Sequence, residues 1–255
     1  MKTIALYSIK GGVGKTAASV NLAYLAASRE QTPTLLCDLD PQGASTFYFR
    51  IQPKPKHSSR KLLKGGKRID KAIRGTDFPD LDLLPADLSY RNLDIELNGF
   101  SHSRRRLKHL LSRFEGEYKY VFLDCPPNIT LVSENIFEAA DIILLPMIPT
   151  TLSMLTYRKL FSFFEESGLD TGKLHPFLSM VEPRKRMHRE TAREMVAAGI
   201  KLMNAFIPYN AEVEQMGFHR APLIHYRPGC AGAKAFANLW RDVKTRLNKE
   251  TPHGD

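Results

Sequence analysis

KTIALYSIKGGVGKTAASVNLAYLAA, residues 2–27, decides the fold: a short apolar run, a glycine-rich turn and a helix-length segment follow one another without a break. The run over Thr3–Ser8 predicts a strand and residues 15–29 a helix. Between them lies Lys10-Gly11-Gly12-Val13-Gly14-Lys15-Thr16. Glycines let backbone N–H groups turn inward around phosphate oxygens, and the helix N-terminus that follows adds a favourable dipole. In that context Lys15 neutralises β- and γ-phosphate charge and the Thr16 hydroxyl ligates magnesium. The residue before the double glycine, Lys10, is an additional lysine that the ordinary spacing of such loops does not require.

Outward from this loop, further β-rich runs alternate with helix-length segments. Strands are expected at Thr34–Leu39, Leu81–Leu84, Tyr120–Leu123, Ile142–Met147, Phe177–Val181 and Ala205–Ile207. Helices are expected at 88–98, 104–114, 130–139, 152–167, 188–198 and 232–247. Most of the runs are apolar at consecutive positions, the pattern of parallel strands covered on both faces. The alternation predicts one α/β domain over 1–255: a doubly wound, mostly parallel sheet flanked by helices, of the P-loop NTPase type. Pro53 and Pro55 among Lys and Ser residues mark 50–62 as a flexible basic insert, and 249–255 read as a disordered tail.

Composition narrows the class. The chain has 255 residues, 43% of them hydrophobic, and a formal net charge of +10. That charge is concentrated: from Arg50 to Arg74, Asp70 is the single acidic residue among ten Lys and Arg. Such a segment suits a polyanionic partner, although a solubilising surface loop accounts for it as well. Cys37, Cys125 and Cys230 form no CxxC pair, and are expected to be buried or semi-buried free thiols. The eight histidines show no zinc spacing, and His188 and His219 are expected at the surface. No apolar run approaches the about 20 residues of a membrane span, and no signal peptide precedes the glycine loop, so a cytoplasmic protein without membrane contact is expected.

The segment KGGVGKT resembles the deviant Walker A box of the ParA/MinD/NifH family. Cys37-Asp38-Leu39-Asp40-Pro41-Gln42-Gly43 is similar to the DxDPQG switch of its ParA branch, and Val121–Pro127 (VFLDCPP) resembles its Walker B strand and DxPP turn. Leu81–Ala86, Ile207–Asn210 and Pro222–Ala233 also track that branch. The resemblance implies ATP and Mg2+ as cofactors, with nucleotide held by Lys10, Gly11, Gly12, Val13, Gly14, Lys15, Thr16, Ala17 and Pro208. It implies Thr16, Asp38 and Asp124 at the metal, and Lys10, Lys15 and Asp40 as the catalytic set. Lys10 would reach across an ATP-bound homodimer to the partner's phosphates, and Asp40 would orient the attacking water. Asp38 and Asp40 could also be plain helix-capping carboxylates.

Branch choice follows from the same residues. Neither Cys125 nor Cys230 has the context of an iron–sulfur ligand. Phe236, Leu239, Trp240, Val243 and Leu247 form an apolar stripe that reads as a packed last helix rather than a membrane anchor. With the loop at residue 10, no operator-reading domain is expected before it, and no amidotransferase half is expected after the ATPase. The ParA branch implies nonspecific DNA binding, nucleoid association, a ParB-like or other stimulating partner, and segregation or positioning of a cargo. The alternative is a MinD-like or adaptor ATPase that positions a protein assembly without DNA. Where many ParA relatives carry arginines before the last helix, this chain reads Pro228-Gly229-Cys230-Ala231-Gly232-Ala233. DNA contact is therefore expected from Lys54, Lys56, Arg60, Lys61, Lys64 and Lys67, from Arg184, Lys185, Arg186 and Arg189, or from Arg220 and Arg227. At Ser179-Met180 relatives often place Asn or Thr to read adenine, so a preference for ATP rests on the resemblance.

Overall fold

Strands that carry apolar side chains on both faces must be sandwiched, and the apolar runs are arranged in that way. The computed structural model describes residues 1–52, 59–65 and 67–249, without side-chain detail at 61, 67, 68 and 249. The chain begins with β1 (Lys2–Leu6), α1 (Lys15–Glu30), β2 (Thr34–Asp38) and α2 (Ala44–Tyr48). Next come α3 (Ser59–Lys64), α4 (Lys67–Asp70), β3 (Arg74–Gly75), β4 (Leu81–Leu84), α5 (Leu93–Asn98) and α6 (Arg106–Leu111). β5 (Tyr120–Asp124), α7 (Leu131–Ala139), β6 (Ile142–Met147), α8 (Thr151–Glu166) and β7 (Leu174–Leu178) complete the sheet. The C-terminal part holds α9 (Arg186–Ala197), α10 (Ala211–Glu214), α11 (Met216–His219), α12 (Leu223–Tyr226) and α13 (Ala231–Lys249).

The sheet order is β3-β4-β2-β5-β1-β6-β7, parallel throughout except for the antiparallel edge strand β3. Side-chain alternation divides each strand between two cores. Ile4, Leu6, Phe122 and Leu144 pack beneath α1 and α13, while Ala5, Tyr7, Leu123 and Leu145 pack against α5, α6, α7 and α8. Each fully buried Leu, Ile or Phe contributes roughly 1.5–3 kcal/mol. On α13, Phe236, Leu239, Trp240, Val243 and Leu247 are all buried, so the C-terminal stripe is a core face. Among the described residues no helix is long and apolar enough to cross a membrane.

Several expectations are corrected. Ala205–Ile207 forms no strand: Asp242 accepts the Ala205 N–H, and Val181 makes an isolated bridge with Pro208. The edge strand β7 covers Leu174–Leu178 rather than Phe177–Val181, because Met180 adopts φ 52 and breaks the extended run. The basic segment expected to be irregular over 50–62 becomes helical at Ser59, where Leu62 and Leu63 anchor α3 in the core. The rest of that insert, 53–58, and the tail beyond 249 lie outside the described residues. His188 is buried, not at the surface, and its Nδ1 accepts the Glu182 N–H at 3.1 Å; His219 is exposed as expected. Cys37 and Cys125 are buried free thiols, and Cys230 is half-buried.

Candidate nucleotide and metal site

Parallel strands present their C-terminal ends along one edge, and four of those ends build the site. The loop from β1 to α1 turns through Gly12 and Gly14, at φ 70 and 94, a region in which side chains are strained. Gly14 is also crowded: a Cβ there would lie 3.0 Å from Ser179 Oγ. The Ser179 hydroxyl donates to the Val13 carbonyl at 2.9 Å, so the end of β7 braces the loop. Lys15 is buried, and its ammonium donates to the Lys10 carbonyl at 3.1 Å. Burial lowers the Lys15 pKa, and the Asp124 charge opposes that shift most. Phosphate oxygens would supply such a buried cation with the partners it has lost in leaving water.

Asp38 ends β2 and Asp124 ends β5, and the two are register neighbours, both fully or almost fully buried. Ser19 and Ser45 donate to Asp124 Oδ1 and Oδ2 at 3.2 and 2.7 Å. Thr46 donates both its N–H and its hydroxyl to Asp38 Oδ2, at 2.8 and 2.7 Å. Asp38 Oδ1 is buried without a hydrogen-bond partner. Burial raises the Asp38 carboxyl above the ordinary carboxylate range, with the Asp124 charge the second cause. Burial also raises Asp124, against the hydroxyls of Ser45, Thr16 and Ser19 and the charge of Lys15.

These residues fit a hydrated magnesium ion. An orphaned buried carboxylate oxygen and a hydroxyl at the start of α1 are hard oxygen donors beside a phosphate-shaped loop. Among the described residues no three His, Cys, Asp or Glu side chains cluster as an all-protein metal cage. A magnesium ion commonly takes one or two protein oxygens and relies on phosphates and water for the rest. Thr16 and Asp124 would hold the ion or its water shell, with Asp38 behind them, and the ion would neutralise phosphate charge. Asp40 is partly exposed and accepts the Gln42 N–H at 2.9 Å, a turn that aims one carboxylate oxygen locally, while the other has no hydrogen-bond partner among the described residues.

On the far side of Gly14 an apolar cleft is lined by Ala17, Phe177, Ser179, Met180, Pro208 and Tyr209, among others. Ala17 and Pro208, distant in sequence, are thus brought together in the lining of one cleft. Lys10 lines a second cavity, with Tyr7, Ser8 and Val13 on one wall and Ser153, Thr156 and Tyr157 of α8 on the other. Its ammonium has no hydrogen-bond or ion-pair partner among the described residues.

The described basic residues expected to meet DNA lie on three separate segments: α3, the start of α9, and the stretch from α11 to α12. Arg60 and Lys64 lie exposed on α3, without acidic partners among the described residues. Lys185 and Arg186, beside Arg184 and Arg189 at the start of α9, pair with Glu182 and Glu190. Arg220 stacks over the Phe47 ring at 4.6 Å, and Arg227 approaches Glu212 at 3.4 Å. Lys54 and Lys56 lie outside the described residues, as do the side chains of Lys61 and Lys67. Sequence reasoning missed Ser19, Ser45 and Thr46. The one available signal was the hydroxyl pair Ser45-Thr46, one residue after the DxDPQG segment.

A glycine-rich loop between β1 and α1 with a buried Lys15, set beside a buried carboxylate pair at the strand ends, defines a P-loop nucleotide-binding protein. Residues 1–171 match the AAA domain family. The chain is 31% identical to the chromosome partitioning protein ParA of Caulobacter vibrioides over 258 residues, 96% of this chain and 95% of that one. A plasmid partition protein of Borrelia burgdorferi bound to AMPPNP superposes with a TM-score of 0.81 at 21% identity, covering 98% and 99% of the two chains. Apo McdA of Cyanothece superposes at 0.80 and 22%, covering 97% and 99%. The chain belongs to the ParA family of P-loop ATPases.

Proposed function

We propose that this protein is an ATP- and Mg2+-dependent ATPase that closes into a nucleotide-sandwiched homodimer and binds duplex DNA without base preference. Hydrolysis, slow alone and accelerated by a ParB-like or other partner, would segregate or position a cargo: a plasmid, a chromosome origin or a protein assembly. The observation that carries this reading is the unpartnered Lys10 ammonium on the nucleotide edge. A lysine in a glycine loop with no acceptor among the described residues is available to a γ-phosphate bound by a second copy, where it would stabilise charge as an arginine finger does. Ile129, Leu152 and Leu155, in the loops and helix after β5 and β6, leave apolar surface exposed along that edge, which suits a face that another protomer covers.

Within this reading Lys15 and the loop amides hold the β- and γ-phosphates, and Asp40 orients water for in-line attack. Size-exclusion and DNA pull-down with ATP, ADP and no nucleotide, across a salt series, test the proposal. Dimers and DNA retention only with ATP are the expected result. Dimerisation without DNA binding in any state would favour the MinD-like or adaptor alternative.

A further inference from the structure

α2 contains five residues, too few to be stable through its own hydrogen bonds. What places it is a pair of consecutive buried hydroxyl residues. Ser45 donates to Asp124 Oδ2 at 2.7 Å, and Thr46 donates twice to Asp38 Oδ2 and accepts the Ala86 N–H at 2.9 Å. The next residue, Phe47, is half-exposed, and its ring lies beneath the Arg220 guanidinium. Arg220 Nε–H also donates to the Phe47 carbonyl at 3.1 Å. One short helix therefore joins both buried carboxylates to an exposed aromatic–arginine surface.

We propose that Ser45 is a positioning residue for the magnesium site, fixing the Asp124 carboxylate for the metal's shell and so coupling metal loading to the order of α2. The inference rests on the reading of the site as a magnesium–nucleotide centre and deepens it. The Ser45 hydroxyl, 2.7 Å from Asp124 Oδ2, fixes the orientation in which that carboxylate meets the metal's shell, so an ordered α2 and a bound metal favour one another. Linkage then requires that Ser45 raise magnesium affinity by the factor by which magnesium stabilises α2. Thr46 performs the matching task on one Asp38 oxygen and leaves the other without a partner.

A merely structural Ser45 would satisfy a buried carboxylate whether or not metal is present. The experiment therefore compares Ser45→Ala and Ser45→Thr with wild type, measuring ADP binding with magnesium and with a chelator, and hydrogen exchange over 44–51. Wild type should bind ADP more tightly with magnesium and protect 44–51 on doing so. Ser45→Ala should lose about tenfold of the magnesium-dependent affinity, the lower end of what loss of an outer hydrogen-bond partner costs a metal site. Its chelator-side affinity should hold, its extra protection should vanish, and Ser45→Thr should restore both. Equal losses with and without magnesium, or an unchanged magnesium effect, would overturn the positioning role. A wild type indifferent to magnesium would overturn the metal reading itself.

Discussion

Asp38 and Asp124 face each other across β2 and β5 as register neighbours, two buried carboxylates at adjacent strand ends. Two negative charges that close in a water-poor site destabilise the metal-free fold, and it is this cost that a cation offsets.

Stability of the metal-free protein should therefore depend on pH in an unusual direction. Both carboxyls are raised in the folded state, so the folded chain holds more protons than the unfolded chain at the same pH. The pair's contribution to stability then falls as pH rises from the ordinary carboxylate range, about 4, through the raised values. Asp38→Asn removes one charge, while its amide oxygen can still accept from Thr46. Thermal melts without metal should show the variant more stable near neutral pH and level with wild type near pH 4. A gain of about 1 kcal/mol would appear as about 2–4 °C. A wild type that becomes more stable on that upward titration would contradict the buried-pair account.

Lys15 and Lys10 should separate binding from assembly. Lys15→Ala removes the buried cation, so ATP affinity should fall by more than about tenfold, the loss of a charged hydrogen-bond partner. Lys10→Ala removes a side chain without a partner among the described residues. It should spare most ATP binding and stop dimerisation and stimulated hydrolysis. Normal turnover by Lys10→Ala with a stimulating partner present would exclude the cross-dimer role.

Asp40 can be tested without disturbing its turn. In Asp40→Asn the side-chain oxygen still accepts the Gln42 N–H, but a neutral amide orients and activates water poorly. The variant should bind ATP normally and accumulate as a stable ATP-bound dimer on size-exclusion. Hydrolysis at the wild-type rate would remove Asp40 from the reaction.

The loop, the parallel sheet and both acidic strand ends were legible because each is carried by contiguous residues. The carboxylate clamps were not. α2 lies between Gly43, at φ 66, and Phe49, and is too short to show helical periodicity. Ser45 and Thr46 become meaningful only when the sheet places β2 beside β5. Ala205–Ile207 misled for the opposite reason: three apolar residues resemble a strand, yet Asp242 of α13 captures the Ala205 N–H. His188 was misplaced because the Glu182 N–H that it accepts comes from a loop that helical spacing does not reveal.

The salt dependence of DNA binding should identify which basic group makes the contact. Each phosphate neutralised adds roughly 0.9 to the slope of log affinity against log salt. Arg60 and Lys64 stand exposed on a helix anchored by Leu62 and Leu63, without acidic partners among the described residues. They can meet phosphates at no cost in broken ion pairs. Lys185 and Arg186 would first have to leave Glu182 and Glu190, although exposed pairs of this kind are worth only about 0–1 kcal/mol. Replacing Arg60 and Lys64 by Gln should thus flatten the slope by up to about one unit per lost contact and weaken binding equally for unrelated sequences. The Lys185 and Arg186 replacements should change it less, and DNA-free ATPase activity should stay constant in both. A larger effect at Lys185 and Arg186 would transfer the contact to the start of α9. An unchanged slope in both would leave Lys54, Lys56 and the late arginines, Arg220 and Arg227, as the groups to replace next.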